Sequence, residues 1–146
     1  MEIKSNSAKQ APAPNRGFAV VVLIITPQGI PLIRDPKKPS PVFWKVPGGR
    51  SVGNETAEAV AVREIKEEIG VTLSSRDLMK VHEENRGSHV LACFTAKLGA
   101  LPKLKAAGDE GEEIKVFSPK EISALGGLFP NHRAVYGALL AKMAGA

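Results

Sequence analysis

Apolar positions along this chain fall into runs of two different periods. Residues 18–26 (FAVVVLIIT) are almost continuously Val, Ile and Leu, which predicts a strand buried on both faces. Pro27-Gln28-Gly29 is a turn signal, so residues 30–34 are expected as the returning strand of a hairpin. Residues 35–41 hold Pro36, Lys37, Lys38 and Pro39 and predict a loop; residues 42–46 form a short apolar segment stopped by Pro47-Gly48-Gly49. The period then changes. Residues 55–69 predict a helix, with Asn54 as N-cap, Ala57, Ala59 and Ala61 favouring it, and Gly70 where a left-handed residue closes a helix. Val62, Ile65 and Ile69 make one apolar stripe, and Ala57, Val60 and Ala61 lie on another side. The helix is therefore expected to be apolar all round near its middle, and buried.

Further along, residues 79–84 and 88–98 predict strands, with Val90, Ala92, Phe94, Ala96 and Leu98 alternating onto one face. Residues 101–111 predict a loop, 114–117 a short strand and 119–125 a helical turn. A second helix is expected over residues 131–143, where Val135, Leu139, Leu140 and Met143 recur at helical spacing. Residues 1–16 are polar, contain Pro12 and Pro14, and predict a flexible arm. No repeat or linker divides the rest, so residues 17–146 are expected as one domain, and 146 residues suffice for one core.

Composition narrows the setting. No apolar run approaches the ~20 residues of a membrane span, and the N-terminus lacks the apolar segment of a secretory signal. A cytoplasmic protein with no membrane partner is expected. The single Cys93 allows no internal disulfide and no cysteine-rich metal site; its neighbours Leu91, Ala92 and Phe94 predict a buried structural thiol. The net charge of +5 comes from scattered Lys and Arg, which fits a solvated basic surface or a basic rim around a phosphate site.

The chemistry concentrates in the predicted helix. Glu67 and Glu68 lie three and four positions beyond Glu64, so the three carboxylates cluster on one face within about one turn. Like charges so spaced destabilise a helix by a few tenths of a kcal/mol per pair, roughly. The helix dipole also disfavours anions near a C-terminus. Something must offset this locally, and hard divalent cations with oxygen ligands suit such a cluster.

Here the sequence closely resembles the Nudix hydrolase family. The family pattern runs Gly, five residues, Glu, seven residues, Arg-Glu, a bulky aliphatic, any residue, Glu-Glu, any residue, Gly and a bulky aliphatic. Gly49, Glu55, Arg63, Glu64, Ile65, Glu67, Glu68, Gly70 and Val71 fill it without departure. A chance match is on the order of 10⁻¹⁰ per starting position at average residue frequencies. Phe43-Trp44-Lys45-Val46-Pro47-Gly48-Gly49 also looks like the family's approach to this box.

The resemblance implies an α/β fold, a Nudix-type α/β/α sandwich with a central mixed β-sheet. It implies a pyrophosphohydrolase that uses Mg²⁺, or Mn²⁺, and water attack on phosphorus in a nucleotide-type substrate. Glu67 and Glu68 would bind metal, Glu64 would be a ligand or a base orienting the attacking water, and the Gly48 carbonyl would be a further ligand. Arg63 would pair with Glu55 and hold the loop to the helix, with Gly49 and Gly70 as structural support. A carboxylate from a later loop is also implied, from among Glu110, Glu112 and Glu113, with Glu113 the best match because it directly precedes a strand.

Arg34, Lys45, Arg50 and Trp44 are the expected substrate contacts, and Lys37 and Lys38 would join them if the fold brought them to the cleft. His82, His89 and His132 are expected in structural or surface roles. Extra motifs of the ADP-ribose, diadenosine polyphosphate and NADH hydrolases are missing, which leaves a nucleoside triphosphate or a small diphosphate-linked nucleotide as the default substrate. Two alternatives stay open: hydrolysis at the 5′ end of RNA, suggested by the basic residues before the box, and a sensor that binds nucleotide without cleaving it. A homodimer is a further expectation from the resemblance.

Overall fold

The opening run of Val, Ile and Leu becomes the strand on which the rest assembles. The computed structural model describes residues 17–37 and 43–124. They form β1 (Phe18–Ile25), β2 (Ile30–Arg34), β3 (Gly48–Arg50), α1 (Ala57–Ile69), a 3₁₀ turn (Ser75–Asp77), β4 (Met79–Asn85), β5 (Val90–Lys97), β6 (Glu113–Phe117) and α2 (Pro119–Ala124). The expected arm at 1–16 and helix at 131–143 lie outside the described residues.

A four-stranded sheet runs in the order β3-β1-β5-β4. β1 and β5 pair in parallel, while β1–β3 and β4–β5 are antiparallel, so the sheet is mixed. β2 and β6 form a separate antiparallel pair. The hairpin expectation therefore needs correcting. The chain does reverse at residues 26–29, where Thr26 and Gly29 bridge and Thr26 Oγ1 donates to Gly29 O at 2.8 Å. But past the Thr26–Gly29 bridge β2 leaves β1, which has β5 along its length on one side and β3 only at Ala19–Val21 on the other, and takes β6 as its partner. The segment before β3 contributes only a bridge between Lys45 and Ile33.

Alternation along β1 and β5 sorts side chains between two cores rather than between core and water. Val20, Val22 and Ile24 of β1 join Ala92, Phe94 and Ala96 of β5 under α1. Val21, Leu23, Leu91 and Cys93 face the other way and meet Ile30, Leu32, Val46, Phe117 and Ile122. Val90, Ala92, Phe94 and Ala96 do share one face, and the opposite face of β5 is buried as well, because β5 is interior and covered on both sides. Cys93 is buried as expected, and burial pushes its thiol up to about 11.

α1 starts two residues later than the pattern predicts. Glu55 is drawn into the preceding loop, so Thr56 replaces Asn54 as the cap, its side chain accepting from Ala59 N at 3.1 Å. Gly70 closes the helix at φ 81°, its N–H reaching the carbonyls of Ile65 and Lys66. The buried residues are Ala57, Val60, Ala61, Ile65 and Ile69. Val62 is only partly buried, and Lys66 is exposed, so α1 is one-sided rather than apolar all round. Full burial of Ile65 and Ile69 contributes about 1.5–3 kcal/mol each. Among the described residues no helix is long and apolar enough to cross a membrane.

Candidate active site

At 100° per residue, Ala57, Ala61, Glu64 and Glu68 fall within about a 60° sector of α1. Glu64 and Glu68 therefore continue the line that packs on the sheet. The core stops at them because the facing strand, β3, presents glycines. A Cβ on Gly48 would overlap the carbonyl oxygen of Val20, and one on Gly49 would overlap the Glu64 carboxyl. The helix can thus bring carboxylates directly onto the strand backbone. Gly48 N donates to Glu68 Oε1 at 2.7 Å.

Arg63 ties this arrangement together. Its Nε and Nη2 reach the two oxygens of Glu55, both at 2.8 Å, a bidentate grip. Nη1 donates to Glu64 Oε2 at 2.9 Å and to Glu67 Oε1 at 3.3 Å, and Nη2 also to the Arg50 carbonyl at 3.0 Å. Glu55 in turn accepts from Val52 N at 2.8 Å. The Arg63 guanidinium, helped by that N–H, holds Glu55 down at about 2, and the same pairing raises Arg63 above its ordinary range. Glu64 and Glu68 move the other way. Burial pushes Glu68 up to about 8, against the opposing Gly48 N–H, and Glu64 rises for the same reason despite Arg63. Perturbation of this kind is a mark of functional clefts.

Glu64 and Glu68 line a cleft of about 240 Å³ together with Asp35, Lys45, Gly48, Gly49, Glu67, Asp109, Glu110 and Glu112. Seven of those side chains are carboxylates and one is an ammonium. Such an excess of anions at close quarters calls for cations. Among the described residues no three His, Cys, Asp or Glu side chains are placed to hold a metal ion by themselves. The acids line an open cleft, which suits an ion such as Mg²⁺ that keeps waters and takes only one or two carboxylates plus substrate oxygens. The donor set is all oxygen, and it fits a hard divalent ion.

The expected site residues divide clearly. Gly48, Gly49, Glu64, Glu67, Glu68 and Lys45 meet at the cleft, and Arg63 and Glu55 stand beside it. Gly70 serves as the helix cap. Glu113 is not in the cleft. As the first residue of β6 it sits opposite Arg34 in register, accepts from Arg34 Nε at 2.7 Å, and is 46% exposed. Glu110 and Glu112 line the cleft in its place. Glu112 is only 8% exposed, and its Oε1 accepts from Glu110 N at 3.1 Å.

Of the four expected substrate contacts, only Lys45 lines the cleft. Arg34 is engaged by Glu113 and lies over the Trp44 ring at 4.4 Å. Trp44 packs edge-on against Phe117 at 5.1 Å, and Arg50 is exposed with its carbonyl on Arg63. The basic residues before the box therefore do not all gather at one place. Asp35 and Asp109 are cleft residues that the sequence pattern does not single out. Asp109 had a signal, since it opens the acidic run Asp109-Glu110-Gly111-Glu112-Glu113.

Comparison with known proteins bears on the family and the fold. The family model for the NUDIX domain matches residues 15–139. No curated protein matches the chain closely enough to count as a relative. Among solved structures, one of MutT from a study of Aliivibrio salmonicida and Vibrio cholerae superposes with a TM-score of 0.69 at 21% identity, covering 86% of this chain and 98% of that one. A NUDIX-family hydrolase from Clostridium perfringens gives 0.68 at 20% identity, covering 87% and 97%. A bifunctional NMN adenylyltransferase/ADP ribose pyrophosphatase from Francisella tularensis, complexed with AMP and a manganese ion, gives 0.68 at 21% identity, covering 92% of this chain and 44% of that one. With a fold shared with these structures and a family model that spans most of its length, the chain belongs to the Nudix family of pyrophosphohydrolases.

Proposed function

We propose that this protein is a Mg²⁺-dependent hydrolase of nucleoside triphosphates or small diphosphate-linked nucleotides. The observation that carries the reading is the convergence of Glu64, Glu67 and Glu68 with Glu110 and Glu112 over the Gly48–Gly49 backbone, with Lys45 beside them. The structurally similar bifunctional protein from Francisella tularensis was solved with AMP and manganese, which supports a nucleotide and a divalent ion as the occupants.

Glu67, Glu68 and the Gly48 carbonyl would hold the ion, with Glu112 or Glu110 completing the set. When bound, such an ion neutralises phosphate charge and lowers the pKa of coordinated water. Lys45 places a positive charge on the cleft wall, where it would meet phosphate oxygens and draw the polyanion into line. Glu64 has one oxygen fixed by Arg63 and uses its carboxylate to orient the attacking water or take its proton. Arg63 keeps Glu64 and Glu55 in place, so the carboxylate geometry is set before substrate arrives.

The test is a panel of nucleoside triphosphates and diphosphate-linked nucleotides hydrolysed in ¹⁸O-water, with products identified by mass spectrometry. Wild type and Glu67→Gln are compared with Mg²⁺ and with EDTA. The expected result is hydrolysis that EDTA abolishes and that Glu67→Gln lowers by about 100-fold or more. Equal rates for the two proteins, or full activity in EDTA, would overturn the reading.

A further inference from the structure

Glu67 and Glu68 occupy the last turn of α1, where the helix dipole already disfavours anions. Residues 105–112 close over that end. Lys105 N donates to Ile69 O at 3.0 Å, Lys105 Nζ to Glu67 O at 2.8 Å, and Asp109 N to Glu67 O at 3.3 Å. Lys105 Nζ also pairs with the Asp109 carboxylate. The Lys105 stem lies against Gly70, where a Cβ would sit 2.7 Å from Lys105 Cγ. One residue thus engages two terminal carbonyls of α1 and the first acid of the following turn.

That turn delivers the cleft's second bank of carboxylates. Gly111 N donates to Gly108 O at 2.9 Å, and Gly108 N donates to Glu112 O at 3.0 Å. The hairpin-like loop so formed turns Asp109, Glu110 and Glu112 towards Glu64, Glu67 and Glu68. Six acids then face one another across the two banks, and repulsion among the ionised ones opposes their approach. Lys105 is a cation that touches both: the carbonyl of Glu67 on one side and Asp109 on the other.

We propose that Lys105 is a positioning residue for divalent-metal binding. Its ammonium ties the 108–112 turn to the end of α1 and so sets Glu110 and Glu112 against the helix carboxylates. The inference rests on the metal-dependent reading of the cleft. It differs from simple helix capping, because a cap needs only a donor for the Glu67 carbonyl, whereas the tie also needs the positive charge for Asp109.

The experiment is Mn²⁺ binding to substrate-free protein, followed by the EPR signal of free Mn²⁺, with thermal unfolding to establish which variants are folded. Lys105→Met is expected to weaken Mn²⁺ binding about 10-fold, the size typical of lost support behind metal ligands. Lys105→Gln keeps a donor for the Glu67 carbonyl but not the charge, and is expected to follow Lys105→Met. Lys105→Arg keeps the charge and is expected to restore binding to within about threefold. Combining Lys105→Met with Glu112→Gln should cost little beyond Glu112→Gln alone, since the lysine acts through that turn. At saturating Mg²⁺, kcat of Lys105→Met should return to within about threefold of wild type.

Mn²⁺ affinity equal to wild type in folded Lys105→Met or Lys105→Gln overturns the proposal, as does full additivity with Glu112→Gln. If Lys105→Met does not fold, Lys105→Gln decides the question in its place. A wild type that binds no Mn²⁺ and hydrolyses nucleotides in EDTA defeats the metal reading itself and the proposal with it. That failure is distinguishable, because it appears in wild type before any variant is compared.

Discussion

The backbone N–H of Gly48 donates to Glu68 Oε1 at 2.7 Å, and this contact holds a box carboxylate against a stretch of strand that carries no side chain. Burial pushes Glu68 up to about 8 from an ordinary value of 4.5. The folded protein therefore keeps a proton there that the unfolded chain sheds above about pH 4.5. Folding stability from this group is greatest below that value, falls as pH rises towards 8, and is level beyond. Glu64 shifts in the same direction. Glu55 acts oppositely: held at about 2, it adds stability above 4.5 that is lost as pH falls towards 2. Metal-free protein should thus melt at a lower temperature near pH 8.5 than near pH 5.5, and Glu68→Gln should flatten that slope. Mg²⁺ should raise the melting temperature more at the higher pH, where Glu68 is ionised without it. A metal-free melting temperature that climbs over this interval would falsify the assignment of Glu68 as a buried, proton-retaining carboxyl.

The two glycines of β3 should fail in different ways when given a methyl group. On Gly48 the Cβ meets the carbonyl of Val20, a backbone atom of the neighbouring strand. Neither strand can yield without breaking the β1–β3 pairing, so Gly48→Ala is expected to destabilise the fold by several kcal/mol, about 3 or more. On Gly49 the Cβ meets the carboxyl of Glu64, the end of a side chain that can swing aside. Gly49→Ala should therefore keep most of the melting temperature and lose activity. Thermal unfolding and nucleotide hydrolysis of both variants measure this, and the reverse pattern would show that the clash is relieved elsewhere.

Arg63 should not tolerate its usual conservative replacement. Its guanidinium serves Glu55 bidentately while reaching Glu64, Glu67 and the Arg50 carbonyl. A lysine ammonium has three donors, no planar fork and a single point of charge. Arg63→Lys is expected to lower kcat/KM by about 10–100-fold, the range seen when support behind metal-site groups is lost. The acid limb of the stability profile should also shift upward in pH, because Glu55 loses the partner that depresses it. Activity within a few-fold of wild type would mean that charge alone, rather than geometry, is what the site takes from Arg63.

The parts of this molecule written in local chemistry are legible in the sequence itself. A Val/Ile/Leu run bounded by a turn, a helix ended by Gly70, and glutamates at three- and four-residue spacing all declare themselves within a few residues. What the sequence hides depends on competition between distant segments. Nothing near Ile30 says that β2 will pair with β6, more than eighty residues away, instead of continuing along β1. Asn54 outranks the true cap, Thr56, in the pattern because the grip of Arg63 on Glu55, eight residues away, is invisible locally. Lys105 gives no signal at all. Its role exists only because the loop after β5 returns to the end of α1.

Glu112 and Glu113 form the sharpest contrast, because they are neighbours with the same side chain. A carboxylate at the start of a late strand suggests Glu113, but Glu113 opens β6 while Glu112 still belongs to the turn before it. Glu113 therefore goes to Arg34 across the β2–β6 ladder, while Glu112 stays in the cleft under Glu110 N. Glu112→Gln is expected to lower kcat/KM by about 10–100-fold and to weaken apparent Mg²⁺ affinity in the same proportion. Glu113→Gln removes an exposed ion pair worth about 0–1 kcal/mol, so activity should change by no more than a few-fold and the melting temperature by little. Titrating activity against Mg²⁺ for both variants decides between them. A strong metal-dependent loss in Glu113→Gln with none in Glu112→Gln would mean that the turn rearranges when metal binds, bringing Glu113 off Arg34 and into the cleft.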